Sequence, residues 1–233
     1  MELRPNERQF VNFSFYKLDP AFRRLGAEEK QRAKEEFAQA AACAAGDDML
    51  VYTYSTVAMR PDTDFMLWRI AYSTDPLQRH AAALNRTQLG GYLSTPHSYL
   101  SQTKHSVYVD EHEHPGQEGK RLNLNPGSKK YLMVYPFVKT RPWYLLSQEE
   151  RQKAMSTHIK VGHEFPSVKL NTTYSFGLDD QEFVVAFETA KPSDFVDLVM
   201  ALRETDSSLY TLRDTPIFTC VRAPIPEILD QLA

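Results

Sequence analysis

Apolar residues in this chain follow two periods, and their succession occurs twice. From Phe10, FVNFSFYKL alternates like a half-buried aromatic strand; a Pro-containing turn follows, then a helix opened by Glu28 and Glu29. The same succession returns in LMVYPFVKTRPWYLLSQEERQKAMSTH, which ends at His158. Acidic residues in the first helical turn, with basic ones after them, suit the helix dipole in both copies. The intervening segments also correspond. MLVYTYSTVAMRPDTDFMLWRIAYSTDPLQRHAAALNRT and VKLNTTYSFGLDDQEFVVAFETAKPSDFVDLVMALRET each predict a strand, a turn carrying Asp, a second apolar strand and an amphipathic helix. SYLSQTKHSVYV and TPIFTCVRAP add a closing strand to each half.

Each half is therefore strand-helix-strand-strand-helix-strand, the split βαβ pattern of ferredoxin-like units. The expected class is α+β. Two ferredoxin-like repeats in one chain bury their sheets against each other, helices outside, as a dimeric α+β barrel. The predicted division is 1–109 for a structural repeat, 110–130 for a linker and 131–233 for the repeat that carries the site. The linker, DEHEHPGQEGKRLNLNPGSKK, is rich in Gly, Pro and charge and reads as too polar to pack. Its His112 and His114 have no further ligands at a telling spacing and read as solvated.

Composition narrows the classes. A formal charge of −3, a pI near 6.2 and scattered Lys and Arg predict no nucleic-acid partner. No apolar run approaches the ~18–20 residues of a membrane span. The polar start, MELRPNERQF, lacks a signal peptide's apolar core, so a cytoplasmic protein is expected. Cys43 and Cys220 have no metal-ligand spacing and read as reduced thiols. Twelve tyrosines and thirteen phenylalanines suit an interior that holds a large planar ligand.

The chemistry lies where the two copies differ. Tyr135 is matched by Ser14, Lys139 by Leu18 and His158 by Phe37, whereas Trp143 is matched by another aromatic, Phe22. A folding requirement would leave the same residue type in both copies, so these residues point to a function confined to the second half. Ala154 and Met155 precede His158 on its helix, which lets its face turn inward. A neutral imidazole opposite an aromatic-lined wall is the proximal arrangement for haem iron. Such an imidazole needs an acceptor behind it, for which Asp206 is the candidate.

These residues resemble the chlorite dismutase superfamily and, within it, the coproheme decarboxylases. The shared motif stands here as Tyr135-Pro136-Phe137-Val138-Lys139, Trp143-Tyr144-Leu145-Leu146, Glu149-Glu150-Arg151 and His158, followed by the turn Gly177-Leu178-Asp179-Asp180. The resemblance implies that His158 ligates the iron and that Tyr135 and Lys139 are catalytic. It implies that Tyr108, Trp143, Asn171, Arg203 and Ser208 surround the porphyrin. For the distal position, spacing from His158 selects Asn171 and spacing from the Gly177 turn selects Leu170; Asn171 is the expectation carried forward. Chlorite dismutases carry a distal arginine, and the segment from Pro166 to Thr173 has none; the glutamine usual in decarboxylases is absent too. They also lack the strand tyrosine, which this chain has as Tyr135.

The implied activity is peroxide-dependent decarboxylation of two propionates of iron coproporphyrin III (coproheme) to vinyls, giving haem b, through a tyrosyl radical. Lys139 would pair with the reacting propionate. The implied assembly is a homopentamer. Two other readings stay open: a haem b chlorite dismutase or peroxidase-like enzyme, and a non-catalytic haem-binding protein. The distal base is also open, with His105, Lys169 and the loop histidines as candidates.

Overall fold

The computed structural model describes residues 1–43, 46–108 and 122–233. The elements run β1 (Phe10–Leu18), α1 (Ala27–Cys43), β2 (Met49–Ser55), β3 (Phe65–Ala71), α2 (Thr74–Asn85) and β4 (Leu93–Gln102). After these come β5 (Tyr131–Lys139), a short α3 (Arg141–Leu145), α4 (Gln148–His163), β6 (Lys169–Tyr174), β7 (Phe183–Thr189) and α5 (Pro192–Arg203). The chain closes with β8 (Thr211–Arg213), β9 (Phe218–Arg222) and α6 (Ile225–Leu232).

Among the described residues the strands form one antiparallel sheet, ordered β7-β6-β4-β1-β3-β2-β9-β5-β8, with a further β7–β5 pairing. In each half the first strand lies between the fourth and the third: β4-β1-β3-β2, then β9-β5-β7-β6. That is the ferredoxin-like order expected from the repeat, in a mixed α+β fold. The halves meet at two narrow seams, Gln102 opposite Tyr174 and Tyr54-Ser55 opposite Arg222-Val221, so the run of pairings returns on itself.

Alternation along the strands builds two kinds of core. Val11, Phe13 and Phe15 of β1 face inward with Leu132 and Val134 of β5 and Val184 and Ala186 of β7. Phe15 stacks on Phe218 with ring centroids 3.9 Å apart, tying the halves together. Removing such a ring costs about 3–5 kcal/mol. The outward faces are covered by helices. In the first half Phe37 and Ala33 of α1 pack on Leu67 and Phe65, and Ile228, Leu229 and Leu232 of α6 close the layer. Phe37, the counterpart of His158, is fully buried there.

The linker is corrected in part. Residues 122–130 are anchored at two points rather than floating: Leu124 enters the inner core, its N–H donating to Gln9 Oε1 at 2.7 Å. Gly127 N–H donates to Glu188 Oε1 at 2.9 Å. One apolar side chain and two buried acceptors suffice to anchor a segment that is polar on average. His112 and His114 lie outside the described residues.

Ser14, the counterpart of Tyr135, accepts a hydrogen bond from the buried Arg69. Arg69 Nη1 also lies 3.4 Å from Nδ1 of His80, whose Nε2 lies 3.0 Å from the Ala41 carbonyl. Burial, then the Arg69 charge, draws the His80 pKa down to about 4. A histidine depressed from ~6.5 leaves stability intact above pH ~6.5 and removes it as pH falls towards 4, by up to about 3 kcal/mol. Urea midpoints measured from pH 7 to 4.5 should therefore fall more steeply in the wild type than in His80→Gln. Equal slopes would contradict the assignment.

Candidate functional site: the outer face of the second repeat

Tyr131, Met133, Tyr135, Phe137 and Lys139 occupy alternate positions of β5 and share its helix-covered face. Phe187 of β7 and Phe195 and Leu198 of α5 pack on them. A capping box sets the start of α4: Ser147 Oγ accepts from Glu150 N–H, and the Glu150 carboxylate accepts from Ser147 N–H. From that start the helix carries Ala154 to a buried position and His158, one turn on, to the same inward side.

Nδ1 of His158 lies 2.9 Å from Oγ of Ser207. Among the described residues its Nε2 has no hydrogen-bond partner. Burial, then the charge of Lys139, draws the His158 pKa down to about 4, so the ring is neutral at pH 7. The expected acceptor, Asp206, is thus replaced by its neighbour: the 3-10 turn at Asp206–Tyr210 buries Ser207 and turns it towards α4.

Lys139 is buried. Its Nζ donates to the Ser207 carbonyl at 2.8 Å and lies 4.5 Å from the centroid of Trp143. Desolvation lowers its pKa to about 8, and Glu182 works in the opposite direction. Lys139 Nζ thus reaches the turn that holds His158. Trp143 in turn meets Tyr108, with ring centroids 6.4 Å apart. Tyr108 lies past the end of β4 rather than on a strand.

Tyr135 is buried and stacks on Phe187 at 6.0 Å. Burial pushes its pKa well up; Asp214 adds to this and Arg203 opposes it. Arg203, at the end of α5, donates to Asp214, and Ser208 Oγ donates to the Arg203 carbonyl at 2.8 Å. Tyr135, Arg203 and Ser208 thus form one group, and His158, Lys139, Trp143 and Tyr108 another, on the same side of the sheet.

Asn171 is not with them. It points to the inner face, where its Nδ2 donates to Glu188 Oε1 at 3.0 Å and to the Ala186 carbonyl at 3.3 Å. Leu170, half-exposed and opposite Phe187 in the ladder, shares the face of Tyr135. A count that is one residue off reverses the face of a strand residue.

The arrangement fits an iron porphyrin. A neutral imidazole with an open Nε2, an apolar wall and a cationic group at one end match a planar, anionic, metal-centred ligand. Among the described residues, no cluster of three or more His, Cys, Asp or Glu could hold a metal ion by itself. One protein ligand suffices where a macrocycle supplies the others. No described helix is long and apolar enough to cross a membrane.

A sequence profile of the family described as chlorite dismutase matches residues 30–223. The chain belongs to the chlorite dismutase family. Coproheme decarboxylase from Mycolicibacterium smegmatis is 33% identical over 180 residues, covering 77% of this chain and 75% of that one. Chlorite dismutase from Ideonella dechloratans is 27% identical over 214 residues, covering 88% and 72% respectively. A variant of chlorite dismutase from Candidatus Nitrospira defluvii superposes with a TM-score of 0.87 at 24% identity, over 96% of this chain and 94% of that one. The last likeness concerns the fold alone.

In this member of the chlorite dismutase family, sequence reasoning missed Ser207, Thr205, Asp214 and Glu182. Glu182 accepts from the Lys139 N–H at 2.8 Å and from the Tyr144 hydroxyl, bracing the motif from below. Serines and carboxylates after a helix read as ordinary turn residues. Only their placement in space marks them.

Proposed function

We propose that this protein is a coproheme decarboxylase, which uses hydrogen peroxide to convert two propionates of iron coproporphyrin III to vinyls and yields haem b. The observation that carries the reading is Tyr135: a buried phenol on the site face, beside Arg203, in a chain whose distal segment holds no arginine. The curated relative of that name supports it. The reading brings with it a cytoplasmic homopentamer, as the resemblance implies.

The iron porphyrin, when bound, supplies both the redox-active metal and the propionates that react. Each propionate that becomes a vinyl gives up carbon dioxide, a proton and two electrons. One hydrogen peroxide takes two electrons and two protons to become two waters. His158 would hold the iron through Nε2. Burial keeps the Tyr135 phenol protonated, so an electron and a proton leave it together. The resulting phenoxyl radical takes a hydrogen atom from the propionate β-carbon and becomes the phenol again. The carbon radical then gives up the second electron of the pair that peroxide accepts. The bond to the carboxylate breaks, and carbon dioxide and the vinyl result. Arg203 would exchange Asp214 for a propionate, a charge-assisted hydrogen bond. Ser208 steadies that end of α5, its hydroxyl donating to the Arg203 carbonyl. Trp143 and Tyr108 line the side nearer His158. Lys139 holds the Ser207 turn in place.

The competing activity is chlorite breakdown by the haem b form. Leu170, on the site face of β6, is apolar and would offer no positive charge to an oxyanion. An oxygen electrode should record no rapid oxygen release when chlorite is added to the haem b-loaded protein. Rapid, sustained release would favour chlorite dismutase instead.

A further inference from the structure

The hydroxyls behind His158 form a chain whose direction is dictated from its far end. The Leu202 carbonyl can only accept, and Thr205 Oγ1 donates to it at 2.7 Å. That uses the one hydroxyl hydrogen of Thr205. Thr205 Oγ1 and Ser207 Oγ are 3.2 Å apart, so Ser207 must be the donor between them. Its hydrogen is then spent as well. The 2.9 Å bond between Ser207 Oγ and His158 Nδ1 is left with one assignment, N–H donating to oxygen. Thr205 and Ser207 are both buried, so water does not compete readily for these bonds.

We propose that Thr205 and Ser207 are positioning residues: a one-way hydroxyl relay that holds His158 as its Nδ1–H tautomer and leaves the Nε2 lone pair directed at the ligand. Free imidazole side chains favour the opposite tautomer, so the relay selects the form that iron needs before any iron arrives. Lys139 steadies the middle of the relay, because its ammonium donates to the backbone carbonyl of Ser207. The chain ends on a neutral carbonyl and not on a carboxylate. His158 is therefore a neutral imidazole donor without imidazolate character, which favours the reduced iron relative to a carboxylate-backed histidine. The consequence for iron rests on the haem-binding reading above; the tautomer does not.

Two measurements on the full chain test this. In metal-free protein labelled with 15N-histidine, the ring nitrogens of His158 should report Nδ1–H in the wild type, by about ten to one or more. Ser207→Ala should shift the population towards Nε2–H, and the nearly isosteric Thr205→Val, which keeps the packing, should do so in part. Nε2–H in the wild type, or a ratio unmoved by either substitution, would overturn the proposal. In the haem b-loaded protein, Ser207→Asp should move the iron midpoint potential to a more negative value; an unchanged potential would overturn the donor argument. A protein that shows the tautomer shift yet binds no porphyrin would instead refute the functional reading and leave the relay standing.

Discussion

Tyr135→Phe binds coproheme as the wild type does and leaves it unreacted. The ring stays, so its stacking on Phe187 and the packing against Phe195 and Leu198 are retained. Only the hydroxyl is lost. Among the described residues that hydroxyl makes no hydrogen bond, so its removal strands no partner and costs little stability. Without an O–H to give up and regain, the propionate carbon has no nearby hydrogen acceptor. A rate loss of at least ~100-fold, about 2.7 kcal/mol of barrier, is expected. Peroxide titration followed by mass spectrometry measures it, and reaction at more than a tenth of the wild-type rate would remove Tyr135 from the mechanism.

His158→Ala is expected to lose more, about a thousandfold or beyond, or ~4 kcal/mol. The substitution removes the single protein donor to iron while leaving the apolar wall and the Arg203 end intact. Porphyrin binding weakens, and the absorption spectrum becomes that of an iron without a strong axial nitrogen. The vacated space beside Ser207 has the shape of an imidazole, so millimolar imidazole should restore part of both the spectrum and the activity. A variant with the wild-type spectrum would show that another residue ligates the metal.

What was legible in the sequence follows from what repeats. Two copies of one strand-helix succession specified the sheet order, because the ferredoxin-like arrangement follows from the element order and alternation. The contrasts of Ser14 with Tyr135 and Phe37 with His158 isolated two residues that the structure places on one side of the sheet. Asn171 failed for a local reason. Counting from His158 crosses the irregular stretch between α4 and β6, where one residue more or less is free, whereas counting from the Gly177 turn stays next to β6 and selects Leu170. Ser207 and Thr205 could not be read at all, since their role depends on a 3-10 turn folding back over α4. Lys139 was legible as a motif position, but its partner was not, because a backbone carbonyl leaves no trace in sequence.

The central claim is that this chain removes two carboxyl groups from coproheme with Tyr135 as the radical site. The most direct test adds hydrogen peroxide stepwise to the coproheme-loaded wild-type protein and follows the porphyrin mass. The account predicts loss of one carboxyl group and then a second, ending at the mass of haem b. A porphyrin that keeps all four propionates, or is bleached without losing carbon dioxide, would contradict it.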